Sequence, residues 1–209
     1  ARQSTRHEVV DSPLPARHLR PMEIIPGLTT TKKEAIPAFL AALRSSDRRR
    51  IALFPTLLDR PERRELYREL EAIDGLNIPH VHLRTDMDVD EIRYLKARFG
   101  AEVFNIHPAA SRHPFGAVPE ELAGRVFVEN VEVPPTNQEL QAVGGICPDY
   151  SHLESARQMG WHEYVTITKE HLERYTIGCC HVSAIRPGES NSWNGGSDFH
   201  TMRRVSDLD

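Results

Sequence analysis

Acidic and histidine side chains recur at short spacings between Gly145 and His200. Asp149 and His152 stand three positions apart in the sequence, and Asp198 stands two positions before His200. Carboxylate oxygens and neutral imidazole nitrogens are both suitable ligands for Zn²⁺, Mn²⁺ and Fe²⁺, so this stretch predicts a divalent-metal site. One D-x-H occurs by chance in many proteins. The prediction therefore depends on polar residues upstream that fall in step with this stretch.

The remaining candidate ligands stand late in apolar segments that are typical of strands. They are His82, His107, Glu129 and His181. His80 shares the face of His82 by the period of two, and His82 is preferred because it is nearer the end of its strand. Successive candidates are about one strand and one helix apart, which predicts that they come from neighbouring units of one repeating architecture.

Seven segments read as strands and alternate with segments of helical periodicity. The predicted strands cover residues 22–27, 48–56, 77–86, 101–108, 125–133, 145–152 and 176–185. The predicted helices cover residues 30–46, 60–73, 88–100, 118–124, 136–144, 153–161 and 168–174. Thr136 is a candidate N-cap with Glu139 completing a capping box. This alternation predicts an α/β fold with a parallel sheet.

The recurrence of polar residues at strand ends favours a closed (β/α) barrel of the TIM type. In a barrel the strand ends converge at one face, where the βα loops build the active site, whereas the strand ends of an open sheet do not all converge. A (β/α)8 barrel needs an eighth strand, and only TMRRVSDLD follows His200. We therefore expect one barrel domain over residues 22–209 whose eighth strand is missing. Residues 1–21 are expected to form an extended or disordered arm that precedes it.

Composition narrows the function classes. The formal net charge of −4 and the pI near 6.3 argue against a protein held to nucleic acid by charge alone. The three cysteines do not form a disulfide framework, which indicates a reducing, cytoplasmic compartment. No apolar run approaches the length of a membrane span. Cys147 and Cys179 fall on the inward face and are interpreted as core residues, with a thiolate ligand as the alternative.

The order of these motifs resembles the xylose isomerase-like TIM-barrel superfamily, which includes the endonuclease IV type of apurinic/apyrimidinic endonuclease and many sugar isomerases and epimerases. Glu129, the D-x-x-H pair Asp149 and His152, and His181 match the superfamily's ligands on strands five, six and seven. The Glu of its eighth strand has no counterpart in this chain.

The endonuclease branch adds a His on strand three, a His on strand four and a D-x-H after strand seven. These positions correspond to His82, His107, and the pair Asp198 and His200. The resemblance implies two or three divalent ions per chain, either Zn or Mn, with Fe as a further option. It also implies that Glu129 bridges two ions.

A rival resemblance is to the polymerase-and-histidinol-phosphatase barrels. These bind three metals, use an H-x-H motif, end with a D-x-H and have seven strands. His80-Val81-His82 and SDFH are similar to those motifs. Their H-x-H, however, lies near the start of the first strand, whereas two strand–helix units precede it here.

Two reaction classes compete for this predicted site. Phosphoester hydrolysis would use Glu129 and His152 as catalytic residues together with two or three metals. A sugar or sugar-phosphate isomerase or epimerase needs only one metal and a base, which leaves His82, His107 and the D-x-H without a task. Hydrolysis is therefore preferred, and a non-catalytic metal-binding barrel is a third alternative.

The expected partner is a small phosphorylated or sugar-containing substrate. Arg84, Arg112 and Arg186 stand in loops at the same end as the site and are candidate phosphate-binding residues. The loops are short and no basic helix suggests duplex recognition, although nucleic acid stays open as a substrate. No membrane partner is expected, and the oligomeric state is left open.

Overall fold

The computed structural model describes residues 23–200, in which short strands alternate with helices. The strands are β1 (Gly27–Thr29), β2 (Arg50–Phe54), β3 (Asn77–His82), β4 (Val103–Ile106), β5 (Val126–Glu129), β6 (Gly145–Cys147), β7 (Ala184–Ile185) and β8 (Asp198–Phe199). The α-helices are α1 (Ile36–Ser45), α2 (Arg60–Glu71), α3 (Val89–Phe99), α4 (Asn137–Ala142), α5 (Tyr150–Gln158) and α6 (His162–Arg174). Two 3-10 helices cover Lys33–Ala35 and Glu120–Arg125.

Strands β1 to β6 form one parallel sheet in sequential order. A doubly wound sheet reverses its strand order at a switch point, whereas here each new strand pairs with the preceding strand in the chain. The predicted parallel α/β class is confirmed. Pairing of β1 with any strand other than β2 is not seen within residues 23–200.

The sheet is strongly curled. His181 lies next to the end of β6, bridged to Asp149, so it occupies a seventh position in the sheet order, five positions from Phe54 on β2. A flat sheet with strands about 4.8 Å apart would separate these positions by about 24 Å. The ring centroids of Phe54 and His181 are instead 4.8 Å apart. Side chains on the concave face of the sheet therefore meet across it.

The predicted seventh strand, 176–185, is wrong as a regular strand. A seventh segment (residues 176–183) runs beside β6 through two isolated parallel bridges, Ile146 to Ile177 and Asp149 to His181. Between the two bridges the chain advances three residues on the β6 side and four residues in the seventh segment. The seventh segment therefore carries one extra residue, as in a β-bulge. Gly178 at this irregularity is required sterically, since a Cβ there would collide with the ring of Phe127.

The first strand was also predicted at the wrong residues. The observed β1 covers Gly27–Thr29, not 22–27. Pro26 has no N–H to donate to the sheet, and only its carbonyl takes part, accepting from the amide of Ala52 at 2.9 Å. Ile24, part of the apolar run that suggested the strand, is 77% exposed.

The core lies between the convex face of the sheet and the helices. Val81, Phe104 and Val128 point into it from the strands and meet helix residues such as Leu70 and Leu95. By the period of two, the intervening residues of the same strands face the concave side. This alternation carries His80, His82, Asn105 and Glu129 to that side, as their mutual contacts demonstrate.

Capping boxes start two of the helices, one of them predicted. Thr136 and Glu139 form the predicted capping box at α4, and Asp59 and Glu62 form another at α2. The arm predicted over residues 1–21 and the tail after His200 lie outside the described residues. Within the described residues no helix is long and apolar enough to cross a membrane.

Candidate metal centre

The predicted ligands converge at the carboxyl ends of the strands and on the concave side of the sheet. All eight are in contact with at least one other member of the set, namely His82, His107, Glu129, Asp149, His152, His181, Asp198 and His200. Most of these side chains are buried, His107 and His181 are partly buried, and His200 is exposed. Candidate metal ligands that are distant in sequence are therefore neighbours in space.

Glu129 stands at the centre of this cluster, 3% exposed at the end of β5. Its Oε2 lies 3.4 Å from Nε2 of His82, and its Oε1 lies 3.2 Å from Nδ1 of His181. The two oxygens thus face two different histidines. A carboxylate so placed can bridge two cations, each sharing one histidine with it.

The tautomer of His82 follows from its backbone contact. Nδ1 lies 2.9 Å from the carbonyl of Leu83, which can only accept, so Nδ1 carries the proton. When the ring is neutral, Nε2 is therefore a bare acceptor, although it faces Glu129 and lies 2.9 Å from Nε2 of His107. A lone pair directed at a carboxylate is repulsive unless a cation lies between them, and a metal ion would remove that repulsion.

Asp149 uses its two oxygens differently. Oδ1 accepts from the backbone amides of Ser151 at 2.8 Å and His152 at 2.9 Å, so it caps α5. Oδ2 lies 3.7 Å from Nε2 of His152 and 3.9 Å from Nδ1 of His181. One side chain therefore caps the helix through one oxygen and leaves the other free to bind a cation.

The backbone of Asp149 is held by Asn130. The Asn130 side chain accepts from the Asp149 amide at 2.7 Å and donates to its carbonyl at 3.1 Å. Asn130 also donates to the hydroxyl of Tyr164 on α6, which in turn donates to the carbonyl of Val131. These bonds tie the ends of β5 and β6 together beneath the carboxylate.

Asp198 and His200 reach the cluster through the loop that ends in β8. Nδ1 of His152 lies 2.8 Å from Oδ2 of Asp198, and the rings of His152 and His200 lie 4.9 Å apart. The loop is fixed by Ser155 of α5, whose hydroxyl accepts from the amide of Ser197. The D-x-H pair is thereby seated against α5 and does not project as a free turn.

Unpaired polar atoms mark the same place. Four buried side-chain atoms of the cluster have no hydrogen-bond partner in the described part of the chain: Oδ2 of Asp149, Nδ1 of His152, Nε2 of His181 and Oδ2 of Asp198. The contact between His152 and Asp198 is short, but it lacks hydrogen-bond geometry. Buried polar groups are normally satisfied, so several unpaired carboxylate oxygens and ring nitrogens within one cluster are what a set of candidate metal ligands presents.

Electrostatics in the cluster are dominated by burial and by the three carboxylates. Burial alone would lower the pKa of His152 and His181, but Asp149 and Glu129 outweigh it and raise the pKa of each to about 9. Burial, together with nearby His82, lowers the pKa of His107 to about 3. Burial would raise the pKa of Glu129, but the histidines hold it well below its usual range. A neutral His107 beside an ionised Glu129 suits metal coordination.

The ligand atoms also fall into compact groups. Within the described residues, three atoms lie within 4.8 Å of one another in His82–His107–Glu129 and again in Asp149–His152–His200. A nitrogen and oxygen donor set of this kind suits Zn²⁺, Mn²⁺ or Fe²⁺. The residues present therefore fit the expected metal, with Glu129 as the carboxylate of the first group and Asp149 as that of the second.

The three candidate phosphate-binding arginines have different surroundings. Arg84 donates to Asp86 and to the carbonyl of Pro55. Arg112 donates to the carbonyl of Trp193, whose ring lies 5.0 Å from that of His152. The guanidinium of Arg186 lies 4.7 Å from the ring centroid of Phe199. Arg112 thus contacts the loop that covers the cluster, and Arg186 stacks on the residue before His200.

Two supporting residues were missed from the sequence. Asn105 donates to Oε2 of Glu129 at 2.5 Å, and Asn130 positions Asp149 as described above. Both asparagines are fully buried. Their signal was available, since each occurs at the end of an apolar strand where a polar side chain needs a partner.

Comparison with protein-family models, with curated proteins and with solved structures gives no match. The site is therefore interpreted from its own chemistry.

Proposed function

We propose that this chain is a metal-dependent phosphoester hydrolase of the endonuclease IV-like type, with its curled sheet forming part of a (β/α) barrel. The observation that carries this is the charge balance of the site. Glu129, Asp149 and Asp198 are each no more than 3% exposed, and their ion-pair partners within the described residues are all histidines. In the metal-free site, His152 and His181, each with a pKa raised to about 9, offset part of this charge as imidazolium ions, and divalent ions bound to the neutral rings would supply the same compensation without a lysine or arginine.

His82, His107 and Glu129 would hold one ion, Glu129, His181 and Asp149 a second, and Asp149, His152, Asp198 and His200 would hold a third. Two or three divalent ions there supply a water of lowered pKa and offset the negative charge of a phosphate. Glu129 would offer one oxygen to an ion beside His82 and the other to an ion beside His181. A single-ion isomerase would leave part of this ligand set without a task.

His152 has a second assignment in the reaction. One of its nitrogens faces Asp149 and the other faces Asp198, and its ring stacks near Trp193. We propose that His152 holds a proton or an ion beside the leaving group and that Asp198 orients its ring. Trp193, tied to Arg112 through its carbonyl, forms a wall that limits water access on that side.

The test is activity of the protein loaded separately with Zn²⁺ and Mn²⁺. The substrates are bis-p-nitrophenyl phosphate, p-nitrophenyl phosphate and a duplex oligonucleotide with one abasic site. We expect hydrolysis of at least one, with a loss of about 100-fold or more in Glu129→Gln. Glu121→Gln, which neutralises an exposed carboxylate paired with Arg93, is the matched control and should retain the rate.

Absence of hydrolysis together with interconversion of aldose and ketose phosphates would overturn the proposal in favour of an isomerase. Absence of both, in protein that holds two or more ions per chain, would favour a non-catalytic metal-binding barrel. Elemental analysis of the same samples supplies the ion count.

A further inference from the structure

A separate group of ligand atoms lies on the concave side of the sheet, next to the metal centre. One ligand atom from each of His80, Cys147 and Cys179 lies within 4.8 Å of the others. They come from β3, β6 and the seventh segment, so the curl of the sheet brings them together. Cys147 is fully buried, His80 is 8% exposed, and Cys179 is partly buried.

The hydrogen bonds around His80 determine which of its nitrogens is available. Glu129, as a carboxylate, can only accept, so Asn105 donates to it through Nδ2. The Oδ1 atom of Asn105 must then be the acceptor for Nε2 of His80, 2.9 Å away. Nε2 of His80 therefore carries the proton. In the neutral ring Nδ1 is left with its lone pair, and a fixed tautomer of this kind is typical of a ligating histidine.

The donor set differs in kind from that of the metal centre. Thiolate sulfur and imidazole nitrogen together prefer soft or borderline ions, whereas carboxylates prefer harder ones. A tetrahedral Zn²⁺ with two sulfurs and one nitrogen would place those donor atoms about 3.5–3.8 Å apart, within the spread observed here. Three protein ligands also match the number in zinc sites that keep an open fourth position.

We propose that His80, Cys147 and Cys179 form a second, thiol-containing metal site for an ion of the Zn²⁺ class. The site is distinct from the metal centre but adjacent to it, since Cys147 also lies within 4.8 Å of ligand atoms of Glu129 and His181. Asn105 joins the two, because it orients His80 on one side and Glu129 on the other. The inference does not depend on the hydrolase proposal, since a chain without that activity would still carry this donor set.

Cobalt substitution tests the site without reference to activity. The metal-stripped, fully reduced protein is titrated with Co²⁺ and its absorption is recorded in the near ultraviolet, where thiolate-to-cobalt charge transfer appears. We expect the band in the parent protein and its loss in Cys147→Ser and in Cys179→Ser. Cys180→Ser changes the adjacent cysteine, which lies outside the three-ligand group, and should keep the band.

His107→Ala separates the two sites, since it removes a ligand of the metal centre only. Retention of the band in this variant supports a distinct thiol site, whatever happens to hydrolysis. Absence of the band in the parent protein would overturn the proposal. Equal loss in His107→Ala would also overturn it, because the thiols would then belong to the metal centre.

Two further measurements keep the proposal testable if a variant fails to fold or if the thiols oxidise. Zinc-edge X-ray absorption of the unmutated protein should detect sulfur at about 2.3 Å from the ion, and a shell of nitrogen and oxygen alone would overturn the proposal. Thiol titration after metal removal and aerobic handling should return three free thiols. A Cys147–Cys179 disulfide that re-forms without a thiol reductant would assign the pair to redox chemistry and overturn the metal site.

Discussion

Asp149 accepts the backbone amide of His152 at 2.9 Å through Oδ1, while its Oδ2 stands 3.7 Å from Nε2 of the same histidine and has no hydrogen-bond partner among the described residues. The carboxylate thus starts α5 with one oxygen and presents the other to the metal centre. Helix capping fixes the position of the side chain, so the ligand atom is placed before any ion arrives. Two substitutions at this residue can separate the roles.

Asp149→Asn should keep the cap and weaken metal binding, because the amide oxygen still accepts the two backbone amides but the charge is lost. Asp149→Ala should lose both. In metal-free protein we expect the alanine variant to be less stable than the asparagine variant by about 1 kcal/mol, the usual contribution of an N-cap. Urea denaturation measures the stability difference, and elemental analysis measures the bound metal. Equal stability of the two variants would contradict the capping role.

Glu129→Ala should remove more metal than the loss of any single histidine ligand. Its two oxygens face His82 and His181 at 3.4 and 3.2 Å, so it serves two ion positions, whereas His107 serves one. The measurement is metal equivalents per chain after dialysis under identical conditions, with His107→Ala as the matched comparison. If His107→Ala loses as much metal as Glu129→Ala, Glu129 does not bridge.

Glu91→Ala should destabilise the fold, because Glu91 is the buried ion-pair partner of Arg63. Neither residue belongs to the metal centre. Arg63 is fully buried and donates to both oxygens of Glu91, at 2.7 and 2.9 Å, and Tyr67 donates to the same carboxylate at 2.8 Å. Without Glu91 the buried Arg63 keeps only the partly exposed Asp86, 2.8 Å away, as a carboxylate partner, so we expect a loss near the lower end of the about 3–5 kcal/mol that breaking a buried ion pair costs. Thermal and urea unfolding provide the measurement.

Glu121→Ala, which breaks the exposed pair with Arg93, is the control and should leave the stability nearly unchanged, because exposed ion pairs contribute little. A double variant, Arg63→Met with Glu91→Leu, should recover much of the loss, because it removes both charges together. Failure of the double variant to recover would assign the effect to packing of Tyr67 and not to the ion pair.

Glu139 should make the α4 region sensitive to acid. Although partial burial opposes it, hydrogen bonds from Thr136 and from the amide of Ala109 lower the pKa of Glu139 below its usual value. A carboxyl with a depressed folded-state pKa contributes stability above its unfolded pKa, and this contribution is lost as the pH falls through the folded pKa. The free energy of unfolding should therefore decline on acidification below about pH 4.5.

Glu139→Gln removes this contribution and should flatten the decline slightly, since the group is half exposed and screened. Urea denaturation at pH 3 to 7 in the presence of chelator measures it. Glu163→Gln on the first turn of α6 is the control. An unchanged slope in Glu139→Gln would contradict the role of the capping box in acid sensitivity.

Local patterns in the sequence correctly predicted which strand residues share a face of the sheet. The period of two placed His82, Asn105 and Glu129 on the face opposite Val81 and Val128, because successive side chains of any strand alternate. The Thr136 capping box was also predictable, since its bonds join residues three apart. The parallel class followed from the alternation of strands and helices, which is likewise visible along the chain.

Tertiary structure alone decided what depends on distant parts of the chain meeting. The curl that brings Phe54 within 4.8 Å of His181 also sets His80 beside Cys147 and Cys179, which sequence reasoning had interpreted as core residues. The tautomer of His80 depends on Asn105 of a neighbouring strand, a partner that only folding supplies. The need for glycine at position 178 comes from the ring of Phe127, which would collide with a Cβ there. Such features require long-range contacts, so no local pattern encodes them, whereas alternation and capping are set by neighbours along the chain.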